Sequence, residues 1–73
     1  MMNFEWNRDD QTPPMSGWYA TLHCWDPHEG FFPGAAYWDG DTWINNLPIC
    51  EWAGPFDSKE DADKWARDND PGL

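Results

Sequence analysis

The chain of 73 residues carries fourteen Asp and Glu against four Lys and Arg, a formal net charge of −10, and its length fits one domain. With Arg8 as its only basic residue before Lys59, the body lacks the cations that phosphate contacts need, which argues against direct nucleic-acid binding. No run nears the ~20 apolar residues of a membrane span, and the opening "MMNFEWNRDD" lacks the basic and then apolar order of a secretory signal, so a soluble cytoplasmic protein is expected.

Along the chain, residues 1–15 set Phe4 and Trp6 at strand-like alternation ahead of "DDQTPP", whose paired prolines exclude regular helix. This lead reads as either a short edge strand docked by Phe4 and Trp6 or an arm, with a single Trp-rich domain over 16–73. "SGWYATLHCW" alternates Trp18, Ala20, Leu22 and Cys24 with Tyr19, Thr21, His23 and Trp25. Both sets hold apolar members, as a central strand requires. "DPHEGFFPG" reads as loop, on the turn signals Asp26-Pro27 and Pro33-Gly34.

"AAYW" and "TWIN" read as two short strands around Asp39-Gly40, a hairpin signal. A two-residue loop pairs Trp38 with Asp41, whereas a four-residue loop sets Trp38 opposite Trp43, and the register stays open. Pro48 and the "AGP" break confine a fourth strand to about 49–52. Ser58, followed three residues later by Asp61, resembles a capping box, with acids in the first helical turn where the dipole favours them. Ala62, Trp65 and Ala66 then form a narrow apolar stripe, Glu60–Lys64 and Asp63–Arg67 are i,i+4 ion pairs in the favourable order, and "DPG" ends the helix. The expected fold is α+β: a small antiparallel sheet of three to four strands with one C-terminal helix packed on it.

Such a chain buries only about 60% of its unfolded surface and needs some compensating device. Seven Trp, four Phe and two Tyr, with no valine at all, predict a largely aromatic core. Cys24 and Cys50 are too few for a disulfide scaffold; in a reducing cytoplasm they are thiols, and a single bridge between them stays open.

The charge is unevenly spread. From Asp9 through Ser58 there is no Lys or Arg, and that stretch holds Asp9, Asp10, Asp26, Glu29, Asp39, Asp41, Glu51 and Asp57. Between Lys59 and Asn69, by contrast, three cations nearly balance four acids. Plain solubility explains a net charge this large, but a mixed-sign surface would serve it without the self-repulsion. A selected acidic field, meant for a basic partner, is the favoured reading.

Other chemistry finds little footing. His23, Cys24, His28 and Cys50 are zinc-ligand types, but no C-x-x-C pair is present, and His23 and Cys24 point to opposite faces of one strand. A twelve-residue calcium loop begun at Asp39 would end on Cys50 rather than Glu. Asp26, His28 and Glu29 form the one tight cluster of candidate acid–base groups, on a Pro- and Gly-containing loop with little room for a pocket. No enzyme activity, cofactor or metal is therefore expected. "GW" at 17–18, "YW" at 37–38 and the spacing from Trp43 to Pro48 distantly resemble WW domains, which bind proline-rich peptides in an aromatic groove.

Duplex DNA carries one charge per about 1.7 Å of axis, and a globule of this length has an expected radius of gyration of roughly 11 Å. About 17 phosphates span such a globule, about half of them facing one side. Eight unpaired acids are a comparable density, and acids on turns and loops over a rigid aromatic platform could stand where phosphates would.

The run from Gly17 to Asp70, with its Trp-rich sheet, "GPF" and short Ser-capped helix, resembles small accessory proteins of phages and prophages over about three quarters of the chain. Among these, strongly acidic single-domain chains of this size are similar to anti-CRISPR proteins, several of which act as DNA mimics. The resemblance implies a non-enzymatic inhibitor, monomeric or a small homo-oligomer, that meets a basic nucleic-acid-binding complex such as a CRISPR effector in the bacterial host's cytoplasm. Anti-CRISPR proteins share no motif, so the eight candidate residues rest on charge alone. The alternative is an accessory or assembly protein that binds a peptide or protein through an aromatic groove.

Overall fold

In the computed structural model, which describes residues 4–8, 10–26, 30–45 and 48–70, one antiparallel sheet of five strands is covered by one helix. In chain order the elements are β1 (Asn7–Arg8), β2 (Gly17–Asp26), β3 (Gly30–Trp38), β4 (Trp43–Ile44), β5 (Ile49–Phe56) and α1 (Lys59–Asp68). The spatial order is β1-β5-β2-β3-β4, which puts β2 at the centre, as its two apolar faces require. The α+β class is as expected, but the sheet has five strands, not three to four.

The extra strand is β1, which pairs Asn7 with Trp52 and Arg8 with Glu51 at the open side of β5. Phe4 and Trp6 hold it there: their rings meet Trp65 of α1 at 6.1 and 5.0 Å, and the Trp6 indole N–H donates to the Asn69 carbonyl at 2.9 Å. The expected loop over Gly30, Phe32 and Pro33 is a strand instead, continuous with "AAYW" as β3. Pro33 is tolerated because β4 covers only Tyr37 and Trp38, so among the described residues β3 has a neighbour on one side at Pro33. The expected stop at Trp52 is likewise overturned, since β5 runs on to Phe56.

Its continuation depends on a bulge. Trp18 pairs with Phe56 and Ala20 with Ala53, so β5 spends one more residue than β2 there. Gly54 supplies the backbone, at φ +142°, and a Cβ on it would lie 2.9 Å from the Tyr19 ring and 3.1 Å from the Phe56 ring. A second bulge at Cys50, between Ile49 and Glu51, turns that strand end, and Cys50 is bonded to Cys24 with their Cα atoms 5.8 Å apart. The bridge that the sequence left open is therefore formed in this structure, in place of the two thiols expected for a reducing cytoplasm. Period-two alternation, which set His23 and Cys24 on opposite faces, carried no information about which strand lies beside Cys24.

The core is less aromatic at its centre than composition suggests. Ala20 and Ala53 of the sheet meet Ala62 and Ala66 of α1, all fully buried, and Phe4, Trp6, Trp18, Phe56 and Trp65 ring this contact. Small side chains let the helix approach closely, and the rings close the gap around its margin. On the opposite face of the sheet Tyr19, Trp38 and Trp52 are buried together, with Trp43 packed against them. The segment between β1 and β2 covers this second cluster. The Trp52 indole donates to the Gln11 carbonyl at 2.9 Å and the Tyr19 hydroxyl to the Met15 carbonyl at 2.6 Å, so these two rings keep their polar ends satisfied. Burial drives the Tyr19 phenol above its usual pKa.

The helix begins as the sequence predicts. The Ser58 hydroxyl accepts the Asp61 amide at 3.2 Å, a cap of about 1 kcal/mol. Arg67 closes on Asp63 at 2.9 Å, whereas Glu60 and Lys64 do not come within ion-pair distance. The helical hydrogen bonds end with the Asn69 amide on the Trp65 carbonyl; the predicted stop at Pro71-Gly72 lies outside the described residues. Among the described residues no helix is long and apolar enough to cross a membrane.

Candidate acidic interaction surface

The hairpin at Asp39 and Asp41 takes the four-residue form. Trp38 pairs with Trp43, their rings 5.1 Å apart and steeply inclined, an arrangement that contributes about 0.5–1.5 kcal/mol beyond burial. Above this pair the Asp39 carboxylate accepts the amides of Asp41 at 2.8 Å and Thr42 at 2.7 Å, and the Asp39 amide reaches the Thr42 carbonyl. Gly40, at φ +101°, gives the turn the backbone that an L side chain would resist. These backbone donors hold the Asp39 carboxyl below its ordinary pKa. Asp39 is therefore a charge with a structural duty: it organises the turn while staying exposed and ionised.

The strand register distributes the remaining candidates. Trp18 lies between Phe56 and Tyr37, so Asp57, just past β5, and Asp39, just past β3, leave the sheet at the same end. Their strands are two spacings apart, about 10 Å. Ser58 starts α1 from this end, which brings the exposed Glu60 and Asp61 to it as well. Lys59 is the cation that accompanies them.

Glu51 is about 20 Å further along β5 and faces Arg8 in the register with β1. No ion pair closes between them, but the body's one basic residue is set beside this acid, so Glu51 is a weaker member of the field. Asp10 is exposed beyond β1, toward the same far end. The backbone of Asp26 ends β2 opposite Gly30. Asp9 and Glu29 lie outside the described residues, as does His28 of the zinc and acid–base readings.

Sequence reasoning missed Glu60 and Asp61 as surface charges because it assigned them to the helix dipole and the cap. Both roles hold at once, since the cap uses Ser58 Oγ and the Asp61 amide and leaves both carboxylates exposed. The near balance of charge along 59–69 concealed this, because a sum over the segment does not show that Glu60 and Asp61 sit in the first turn while Lys64 and Arg67 lie further along the helix.

Beside this end lies a groove of about 350 Å³. Its walls are Phe4, Pro55, Phe56 and Trp65, and its rim is Asp57, Asp61, Lys64 and Asp68. Phe4 and Phe56 are 4.3 Å apart between ring centres, and Phe56 and Trp65 are 5.9 Å apart. The WW-like residues do not make this groove: Trp18 and Tyr37 pack on each other, and Trp43 lies on the other aromatic cluster.

Among the described residues no group of three or more His, Cys, Asp or Glu is placed to hold a metal ion. His23 is buried instead, its Nε2 2.8 Å from the Thr21 hydroxyl and its Nδ1 3.3 Å from the Asn45 side-chain amide. With Asn45 donating, Nδ1 is the acceptor and Nε2–H donates to Thr21. Burial holds the imidazole below its ordinary pKa. No protein-family model matches the chain, and no curated protein or solved structure matches it either.

Proposed function

We propose that the protein is a non-enzymatic inhibitor of the anti-CRISPR type, which presents an acidic, nucleic-acid-like surface to the basic DNA channel of a CRISPR effector complex in the bacterial cytoplasm. The observation that carries this reading is the grouping of exposed Asp39, Asp41, Asp57, Glu60 and Asp61 at one end of the sheet, on a hydrogen-bonded turn and a capped helix. Charges held in advance by such anchors lose less freedom on binding than charges on free loops. The body is 31 Å along its longest axis, room for a run of phosphate-like charges, with Asp10 toward the far end.

Association is then electrostatically steered, fast and weakened by salt. The test is competition: purified effector complexes of several types receive the protein before labelled target DNA, at two salt concentrations. Loss of DNA binding for one type, relieved at high salt, is the expected result. Asp39→Asn with Asp41→Asn should weaken inhibition while the fold stays intact, since an asparagine side chain at the first position keeps an oxygen to accept the turn amides. Unchanged inhibition in that double variant removes the turn from the interface, and no effect on any complex overturns the reading.

The second reading, an accessory or assembly protein that takes a peptide or protein in an aromatic groove, is favoured by the groove between Phe4, Phe56 and Trp65. Salt separates the two. Binding through apolar contact survives an ionic strength that abolishes binding through charge.

A further inference from the structure

The groove combines two features that the charge argument treats separately. Phe4, Phe56 and Trp65 give it aromatic walls, and three of its four rim charges are acids. Asp61, Lys64, Trp65 and Asp68 stand at i, i+3, i+4 and i+7, one face of α1, so two carboxylates sit a helical turn to either side of the Trp65 ring. Asp57 adds a third from the end of β5. Among the described residues Lys64 forms no ion pair, and the other late cation of the helix, Arg67, is engaged by Asp63. With three acids against one lysine, the site holds an uncancelled negative charge beside aromatic faces.

We infer that this groove receives an arginine side chain of a basic partner, with the guanidinium between the Asp61 and Asp68 carboxylates and its plane or stem against Trp65 and Phe56. Three physical facts select this occupant. Ring faces attract cations through their quadrupole, and Trp does so best. A guanidinium is planar, weakly hydrated and forked, so it stacks on a ring and bonds a carboxylate together, which a lysine ammonium does less well. A volume of about 350 Å³ is at the small end of ligand sites, which run to about 1,000 Å³, and suits one or two side chains rather than a docked helix.

This inference rests on the acidic-surface reading for the nature of the partner, but it names a separate contact: an anchor that fixes orientation once the field has steered the partner in. The test uses the intact protein and two short peptides, acetylated and amidated Gly-Arg-Gly-Arg-Gly and the same peptide with citrulline for arginine. Citrulline keeps the shape and loses the charge. Amide chemical shifts are followed by NMR during each titration, and the effector competition is run in parallel.

Arginine peptide should move the amides of Asp61, Lys64, Trp65 and Asp68 in a saturable way, and citrulline peptide should not. Asp61→Asn with Asp68→Asn should weaken that binding roughly three- to tenfold, and Lys64→Gln should tighten it about twofold. All three side chains are exposed, so the variants should keep the wild-type spectrum elsewhere. Equal binding of the two peptides overturns the inference in favour of an apolar occupant. Shifts spread over Asp10, Asp39 and Asp41 without saturation overturn it in favour of a diffuse field, and leave the inhibitor reading standing if competition succeeds. Saturable arginine binding with no competition on any effector sinks the inhibitor reading and leaves the arginine site.

Discussion

Replacing Cys24 and Cys50 together with serine removes the one covalent cross-link of a small sheet, and its cost can be worked from the loop it closes. The two cysteines are 26 positions apart, and closing a loop of that length takes about 12 cal/mol/K from the unfolded chain, or about 3.5 kcal/mol at room temperature. Strands β2 and β5 stay paired through the aromatic and alanine cores, so the loss falls on the unfolded side of the balance. A domain of this length has about 4–11 kcal/mol in total, so the serine variant loses a third of its stability or more.

Urea unfolding followed by Trp fluorescence reads this directly. At a slope near 1 kcal/mol/M the midpoint falls by about 3.5 M, and the melting temperature falls by about 14–28 °C. Wild-type protein held in reductant should match the serine variant, and intact mass after alkylation should report two blocked thiols with reductant and none without. A shift below about 1 kcal/mol, or alkylation of unreduced protein, refutes the argument that a cross-link holds these strands. The outcome bears on function, because a protein acting in a reducing cytoplasm acts as the dithiol. The competition assay should therefore be run with and without reductant.

Gly54→Ala places a methyl group against Tyr19 and Phe56 at a backbone angle that L residues resist; a loss of about 2–5 kcal/mol is expected by urea unfolding, and a neutral result would show that the bulge relaxes. Trp65→Ala uncouples the helix from Phe4, Trp6 and Phe56 and should cost about 3 kcal/mol, the low end for a large aromatic because the ring is only partly buried. The buried His23 has its folded-state pKa below the ordinary 6.5, so the unfolded chain takes up the proton first. Stability is full above about pH 6.5 and declines as the pH falls through that value toward the folded-state pKa. His23→Asn should flatten the profile between about pH 5 and 6.5, where carboxylates contribute least, and an unchanged profile would count against the burial argument.

The legible parts of the fold were those written in local chemistry. The alternation after Gly17 and the Ser58–Asp61 spacing each encode a structure within a few residues: the strand is present as read, and of the capping box the bond from the Asp61 amide to Ser58 Oγ is present. Pro33 and "AGP" misled because a proline or glycine marks a break only if the chain around it is flanked on both sides or must keep its register. Here Pro33 has a neighbour on one side among the described residues, and Gly54 is used by a bulge that continues the strand. The candidate site was legible as charge but not as place. Asp39 and Asp41 were visible as acids in a turn, whereas their grouping with Asp57, Glu60 and Asp61 required the order β5-β2-β3.

By itself the sequence determined the class of fold, the central strand, the helix and its start, and the acidic body with no basic residue from Asp9 through Ser58. Each follows from periodicity, capping or charge, quantities that are properties of neighbouring residues or of simple counts. Tertiary structure alone decided the rest: the pairing of Trp38 with Trp43, the joining of Cys24 to Cys50, the docking of Phe4 and Trp6 on Trp65, and the groove between them. Most of these contacts join residues far apart in the chain. Which of them forms depends on strand order and on small side chains letting the helix settle on the sheet, and neither has a signature in any single stretch of the chain.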